Sequence, residues 1–186
     1  MPMETYNIDD LMVPLSEYAT VDEEATLLDA VMALEKAQRD WDKTRYRHRA
    51  VLVLDKGSRV VGKVSQLDIL RSLEPKYDDI YDSHRANIGG FSRKFMKSML
   101  HQFNLWDSPL RDVCQKAATR KVKDFMYSPT DGEFVDADAA LDEAIHQLIM
   151  GHHQSLLVVQ DGQIKGVLRL TDVFAAVFQI IKQCQV

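Results

Sequence analysis

The chain has few of the residues that mark secreted, membrane-spanning or metal-binding proteins. Among its 186 residues are two cysteines, Cys114 and Cys184, which are far apart and lack metal-site spacing. Two reduced thiols are the simplest interpretation. No apolar stretch approaches membrane-spanning length, and the acidic start "MPMETYNIDD" lacks the basic residues and apolar run of a signal peptide. We therefore expect a cytoplasmic protein that does not contact a membrane.

An excess of basic residues is also missing. The chain has 23 Lys and Arg against 28 Asp and Glu, a formal net charge of −5, which argues against a general nucleic-acid binder. No Walker loop, Rossmann glycine run or nucleophile elbow occurs. His146, His152 and His153 have no cysteine or acidic partner at the usual metal-ligand spacing. We expect no catalytic residue, no metal site and no required cofactor.

Three blocks of the sequence occur twice, in the same order. They are "DLMVP" and "DFMYSP", then "TVDEEATLLDAVMAL" and "FVDADAALDEAIHQL", then "AVLVLDKGSRVVGKVSQLDIL" and "SLLVVQDGQIKGVLRLTDVF". Chance seldom produces three matched blocks in one order, so we interpret the chain as a tandem duplication.

Each copy predicts a β-α-β-β-α unit. Leu27, Val31 and Leu34 recur at helical spacing, and the short β-branched runs around a glycine-bearing turn are typical of paired strands. Thr20 followed by Glu23 predicts a capping box at the first helix start. A unit this small cannot cover both faces of its sheet, so we expect an α/β (α+β) protein in which two units pack face to face. We place the first motif at residues 7–75, a helical insert at 76–121 and the second motif at 122–183.

Two segments differ between the copies. In the insert, Phe95, Met99 and Phe103 share one helical face, and a second amphipathic helix is predicted to start near Ser108. These helices have three alternative roles: they cover their own module, cross into a second subunit, or form the surface that reports ligand state. The basic segment 39–49 is interpreted as an extension of the first helix, with a flap or a partner surface as alternatives.

The second half of each copy places a glycine six positions before an aspartate, in "GKVSQLDIL" from Gly62 and "GVLRLTDVF" from Gly166, and in the first copy Ser65 stands three positions before that aspartate. With the unit order and the "DLM-P" lead-in, this resembles a tandem pair of CBS (cystathionine-β-synthase) motifs, or Bateman module. The resemblance implies a pseudo-two-fold pair that binds AMP, ADP, ATP or S-adenosylmethionine in clefts between the motifs. It also implies a homodimer that contacts through exposed helix faces, and regulation of a separate effector protein. A ligand-free dimerisation scaffold with the same fold is the alternative function.

The resemblance also implies the ligand-binding residues. In such motifs the Asp accepts hydrogen bonds from the ribose hydroxyls and the Ser or Thr helps to hold phosphates, which suits a carboxylate facing a diol. The residues carried over from the first copy are Thr20, Val21, Arg49, Gly62, Ser65 and Asp68. Those carried over from the second copy are Phe134, Val135, Ser155, Gly166, Arg169 and Asp172. Ser65 and Asp68 also fit an ordinary helix-capping pattern, a role compatible with binding.

Arg169 departs from the family pattern, because it stands where Ser or Thr is expected. One alternative is that it clamps a phosphate, which would favour nucleotides over a cationic ligand. The other is that it fills the pocket or pairs with a nearby acid. For His48 and Arg49, the alternatives are that they lie in a solvated loop or that their side chains contact ligand phosphates across the cleft.

Overall fold

The computed structural model describes residues 6–39, 48–84, 91–106 and 112–183. The fold is mixed α/β, as predicted, and two sheets each carry their own helices. The predicted helix start at Ser108 and most of the predicted helix extension after Arg39 lie outside the described residues. Within the described part of the chain, none of the helices combines the length and apolarity that crossing a bilayer requires.

The first motif follows the predicted order. Its elements are β2 (Thr20–Asp22), α2 (Leu27–Arg39), β3 (Ala50–Leu54), β4 (Val60–Ser65) and α3 (Gln66–Ser72). Strand β3 lies in the middle of the sheet, parallel to β2 and antiparallel to β4. The predicted Thr20–Glu23 capping box is wrong, because Thr20 belongs to β2. The box forms later instead, where the Thr26 backbone N–H and hydroxyl both donate to Asp29 Oδ2 at 2.8 Å.

The second motif repeats this order. Its elements are β5 (Phe134–Asp136), α7 (Leu141–Gly151), β6 (Ser155–Gln160), β7 (Gln163–Arg169) and α8 (Leu170–Gln183). Strand β6 is parallel to β5 and antiparallel to β7. Ser155 is the register partner of Arg169, just as Ala50 is the register partner of Ser65. The duplication seen in the sequence is therefore a duplication of strand register.

The lead-in segment of each motif crosses to the sheet of the other. After α1 (Ile8–Leu11), strand β1 (Val13–Pro14) pairs with β7 of the second motif. In return, Tyr127 forms an antiparallel bridge with Lys63 on β4 of the first motif. This reciprocal exchange ties the two motifs together through backbone hydrogen bonds.

The two repeated glycines lie where these lead-ins cross. A Cβ at Gly166 would stand 2.5 Å from the carbonyl oxygen of Val13, and one at Gly62 would stand 2.7 Å from Met126 Sδ and 3.1 Å from the Tyr127 carbonyl oxygen. Such distances leave no room for a side chain without a shift. The two glycines therefore allow the lead-in of the opposite motif to pass close to the strand.

The apolar interior has a core for each motif and a third cluster shared by both. The shared cluster contains five buried residues: Val13, Tyr18, Leu52, Leu157 and Val167. Since these come from both sheets and from the first lead-in, the two motifs pack face to face over a common core, as predicted.

The insert contributes three described helices: α4 (Lys76–His84), α5 (Arg93–Gln102) and α6 (Val113–Thr119). The sequence does not predict α4, because Pro75 indicates only the end of the preceding helix. The insert docks on the first motif through polar contacts. The buried Glu74 carboxylate accepts a bond from the Trp106 backbone N–H at 2.9 Å, and Lys116 Nζ donates to the Leu73 carbonyl oxygen at 2.8 Å. Part of the insert therefore covers its own module.

Candidate functional site

Ser65 and Asp68 form a hydrogen-bonded unit where β4 meets α3. The Ser65 backbone N–H and hydroxyl donate to Asp68 Oδ2 at 2.8 and 2.6 Å, and the Asp68 N–H donates to Ser65 Oγ at 3.2 Å. This is a capping box, so the predicted capping role is confirmed. The unit holds a largely buried carboxylate in one orientation.

The second oxygen of Asp68 has a weaker partner. Arg71 Nη2 donates to Asp68 Oδ1 at 3.2 Å, and the Arg71 side chain is 30% exposed. A long bond to a partly exposed, flexible guanidinium is easier to exchange than a short buried one. Asp68 Oδ1 is therefore the carboxylate oxygen best suited to accept a bond from a bound hydroxyl group.

A polar network lies next to this unit and joins the two motifs. Lys63 Nζ is 2.5 Å from Glu133 Oε1, while the Tyr127 hydroxyl and the Thr130 backbone N–H donate to Glu133 Oε2 at 2.6 and 3.0 Å. The charge of Asp68 helps to raise the pKa of Tyr127, after the larger effects of the hydrogen bond to Glu133 and of burial, so the network lies within electrostatic range of Asp68. The ligand clefts predicted at Asp68 and at Asp172 are called the first and the second cleft below.

The Glu133 carboxylate is ionised within this network. Burial raises its pKa, but the hydrogen bonds from Lys63, Tyr127 and Thr130 together outweigh burial and leave the pKa below its usual value. Because Lys63 belongs to the first motif and Glu133 to the second, the ion pair holds the motifs in register at the first cleft.

The equivalent position in the second motif is an ion pair. Arg169 Nε donates to Asp172 Oδ2 at 2.5 Å and Arg169 Nη2 donates to Asp172 Oδ1 at 2.7 Å, so the guanidinium engages both carboxylate oxygens. The two side chains are 7% and 17% exposed. Of the two alternatives for Arg169, the structure shows pairing with a nearby acid.

Two buried aromatic rings of the first motif lie within electrostatic range of this pair. Tyr18 and His48 pack edge to face with ring centroids 4.5 Å apart. Burial raises the pKa of Tyr18 to about 12 and lowers the pKa of His48 to about 4. The positive charge of Arg169 lowers both pKa values and the negative charge of Asp172 raises both, as smaller effects than burial. The interpretation of His48 as part of a solvated loop is therefore wrong, because His48 is buried.

The other predicted ligand-binding residues are divided between surface and core. Arg49 is exposed and its carbonyl oxygen accepts a bond from the Gln66 N–H at 3.1 Å. Val21 packs on the first motif's core, and the buried Val135 belongs to the second motif's core. Phe134 packs on the shared core, while Thr20 and Ser155 are half-buried in β2 and β6. Their roles in ligand binding remain predictions.

A cavity of about 570 Å³ opens at the edge strand β5, apart from both aspartates. Its lining includes Phe134 and Val135 together with the acidic residues Asp131, Asp136 and Glu143. Neither Asp68 nor Asp172 lines it, so its volume does not measure either predicted cleft.

Sequence reasoning missed the residues that join the motifs. Lys63 and Glu133 are 70 positions apart, and their pairing depends on how the lead-ins cross. Tyr18 carries no motif of its own, and for His48, which the sequence names only as a loop or phosphate-contacting residue, the burial was not predicted. A signal was present for Lys63 alone, since a lysine interrupts an otherwise apolar strand and needs a partner.

The tandem β-α-β-β-α repeat places an aspartate just after the third strand of each unit, Asp68 in the first and Asp172 in the second. The CBS domain profile matches this chain at residues 8–75 and 122–179. The chain therefore belongs to the CBS domain family and forms a tandem CBS pair, which confirms the resemblance seen in the sequence. CBS pairs are generally regulatory rather than catalytic modules. No curated protein matches the chain significantly.

Solved CBS-pair structures share the fold over nearly the whole chain. CBSX2 from Arabidopsis thaliana is 21% identical with a TM-score of 0.59, and the match covers 96% of this chain and 99% of that one. CBSX2 in complex with AMP is 21% identical with a TM-score of 0.58, covering 95% and 98%. A CBS domain-containing protein of unknown function from Bacillus anthracis is 17% identical with a TM-score of 0.62, covering 95% and 96%.

Proposed function

We propose that the chain is a regulatory module that binds an adenosine-containing ligand at the first cleft, next to Ser65 and Asp68, and signals to a separate partner protein. AMP, ADP, ATP and S-adenosylmethionine are the candidate ligands, and we infer that the module is cytoplasmic and has no catalytic activity. The observation that carries the proposal is the Ser65–Asp68 unit, in which a capping box at the start of α3 fixes a largely buried carboxylate.

The chemistry of the unit suits a nucleotide. Asp68 Oδ1 accepts the long Arg71 bond, so a ribose diol that displaces this bond has an acceptor of fixed position for charge-assisted hydrogen bonds. The partly exposed Arg71 guanidinium next to it suits a phosphate group. The AMP complex of CBSX2, a protein of the same fold, supports an adenine nucleotide as the ligand class.

Exposed apolar side chains support a homodimer. Leu67 on α3 is 70% exposed and Phe174 on α8 is 61% exposed, and Leu70 and Phe178 accompany them. Corresponding helices of the two motifs thus each present apolar surface, as expected where a second copy packs against them. A ligand that changes the angle between motifs would change this surface, and a partner protein would read the change.

The function is tested by thermal unfolding of the intact protein with AMP, ADP, ATP, S-adenosylmethionine and, as a control, GTP. A ligand at about a hundred times its dissociation constant stabilises by about 2.7 kcal/mol, which shifts the melting temperature by about 5 to 10 °C for a chain of this size. We expect such a shift with at least one adenosine ligand and not with GTP.

Matched variants separate binding from capping. Asp68→Ala and Asp29→Ala each remove the acidic member of a capping box at a helix start in the first motif. Both should lower the melting temperature, but only Asp68→Ala should abolish the ligand-dependent shift. If no adenosine ligand shifts the wild type, the ligand-free dimerisation scaffold becomes the better account.

A further inference from the structure

The aspartates of the two predicted clefts differ in the hydrogen-bond partners of their carboxylate oxygens. Asp68 has one oxygen held by its own cap and the other by a bond of 3.2 Å to Arg71. Both carboxylate oxygens of Asp172 accept hydrogen bonds from Arg169, at 2.5 and 2.7 Å. Such bidentate pairs are among the stronger ion pairs in proteins. The guanidinium thus makes the contacts that a ligand diol would make.

The repeat register shows which residues surround each aspartate. Ser65 is equivalent to Arg169, since Gly62 and Gly166 have the same strand register. In the lead-in to the first strand of each unit, Tyr18 is equivalent to Gly132. The end of the module near Asp172 thus carries an arginine and a tyrosine, where the end near Asp68 carries a serine and a glycine.

The larger residues at the Asp172 end are also more buried than the equivalent smaller residues at the Asp68 end. Arg169, Tyr18 and His48 are all buried, whereas Ser65 is half-buried and Gly132 is exposed. His153, the equivalent of His48, is also only half-buried. Large buried side chains therefore lie within electrostatic range of Asp172, with Arg169 in direct contact, while the equivalent positions of the other motif carry small or more exposed residues.

From this geometry we infer that Arg169 closes the second cleft from within, by occupying Asp172 in place of a ligand, so that the module has one working cleft, the one at Asp68. This inference rests on the proposed function, because it concerns how many of the two clefts bind the adenosine ligand. Arg169 then determines the binding stoichiometry, and the pseudo-symmetric pair works as an asymmetric sensor.

The test is the number of AMP molecules bound per chain, measured by equilibrium dialysis of the intact protein. We expect one in the wild type and none in Asp68→Ala. Arg169→Ser, which installs the first motif's residue, should raise the number to two. If Tyr18 still obstructs the cleft, the second molecule should bind in the double variant Arg169→Ser/Tyr18→Gly. The Arg169→Ser/Asp68→Ala variant, or its Tyr18→Gly derivative, should keep one.

The outcomes separate this inference from the proposed function. Two AMP molecules per wild-type chain, or one retained in Asp68→Ala, would overturn closure by Arg169 and leave nucleotide binding in place. No binding to the wild type but one molecule in an Arg169→Ser background would support closure and overturn binding at Asp68. A number that does not rise in either Arg169→Ser variant, with circular dichroism showing an intact fold, would overturn closure.

Discussion

The ion pair between Lys63 and Glu133 gives a sharp prediction about what holds the two motifs together. Truncation by Glu133→Ala removes a carboxylate that is 2% exposed and leaves Lys63, which is 20% exposed, with its ammonium group unpaired in the motif interface. Breaking a buried pair from one side costs about 3 to 5 kcal/mol, and the partial exposure of Lys63 places this one near the lower figure, about 3 kcal/mol. The loss of acceptors for Tyr127 and Thr130 acts in the same direction.

A matched control is the pair between Lys165 and Asp9, which also joins distant parts of the chain. Its side chains are 37% and 45% exposed, so Asp9→Ala should cost less than about 1 kcal/mol. Urea unfolding of both variants at neutral pH, followed by circular dichroism, gives the two free energies of unfolding. Equal losses in Glu133→Ala and Asp9→Ala would refute the role assigned to the buried pair.

The pH dependence of the same pair has a defined sign. Because the pKa of Glu133 is lowered in the folded state, the ionised carboxylate stabilises the protein above the usual glutamate value of 4.5. This stabilisation is lost as the pH falls through the folded-state pKa. The difference in unfolding free energy between wild type and Glu133→Gln should therefore shrink in acid, and a difference that grows in acid would contradict the assignment.

Two further predictions concern the glycines and the buried histidine. Gly166→Ala should destabilise by about 1 to 3 kcal/mol, and more than Gly62→Ala, because its Cβ meets the Val13 carbonyl oxygen at 2.5 Å rather than a flexible methionine sulfur. Urea unfolding measures both, and the reverse order would contradict the packing argument. The pKa of His48 is lowered from 6.5 to about 4, so stability is lost as the pH falls between these values. The loss between about pH 7.5 and about pH 5 is about 2 kcal/mol, and His48→Phe should remove most of it. An unchanged pH profile in that variant would show that folding does not lower the pKa of His48.

The part of the fold that could be predicted is the part that local patterns encode. The duplication was visible because the same glycines and apolar positions recur in one order, and the Ser65–Asp68 box is a local hydrogen-bonding pattern. The start of α2 shows where such local patterns fail. Thr20 and Glu23 have the same spacing as a capping box, but Thr20 pairs with Leu52 in the sheet, and tertiary pairing overrides the local preference.

The contacts between motifs could not be predicted from local patterns. The pairing of Glu133 with Lys63, and the burial of Tyr18 and His48 next to Arg169, depend on lead-ins that cross to the opposite sheet. For Arg169 the sequence alone left two chemically reasonable roles. The structure decides between them through the position of Asp172. This residue lies one helical turn further on, where its two carboxylate oxygens accept hydrogen bonds from Arg169 Nε and Nη2.

The most direct test of the central claim, that an adenosine ligand binds at Asp68 and not at Asp172, is a crystal structure of the intact protein grown with AMP. The account predicts AMP with its ribose hydroxyls on Asp68, and the Arg169–Asp172 pair intact. AMP bound on Asp172 with Arg169 displaced, or the absence of AMP from the Asp68 cleft at a saturating concentration, would contradict it.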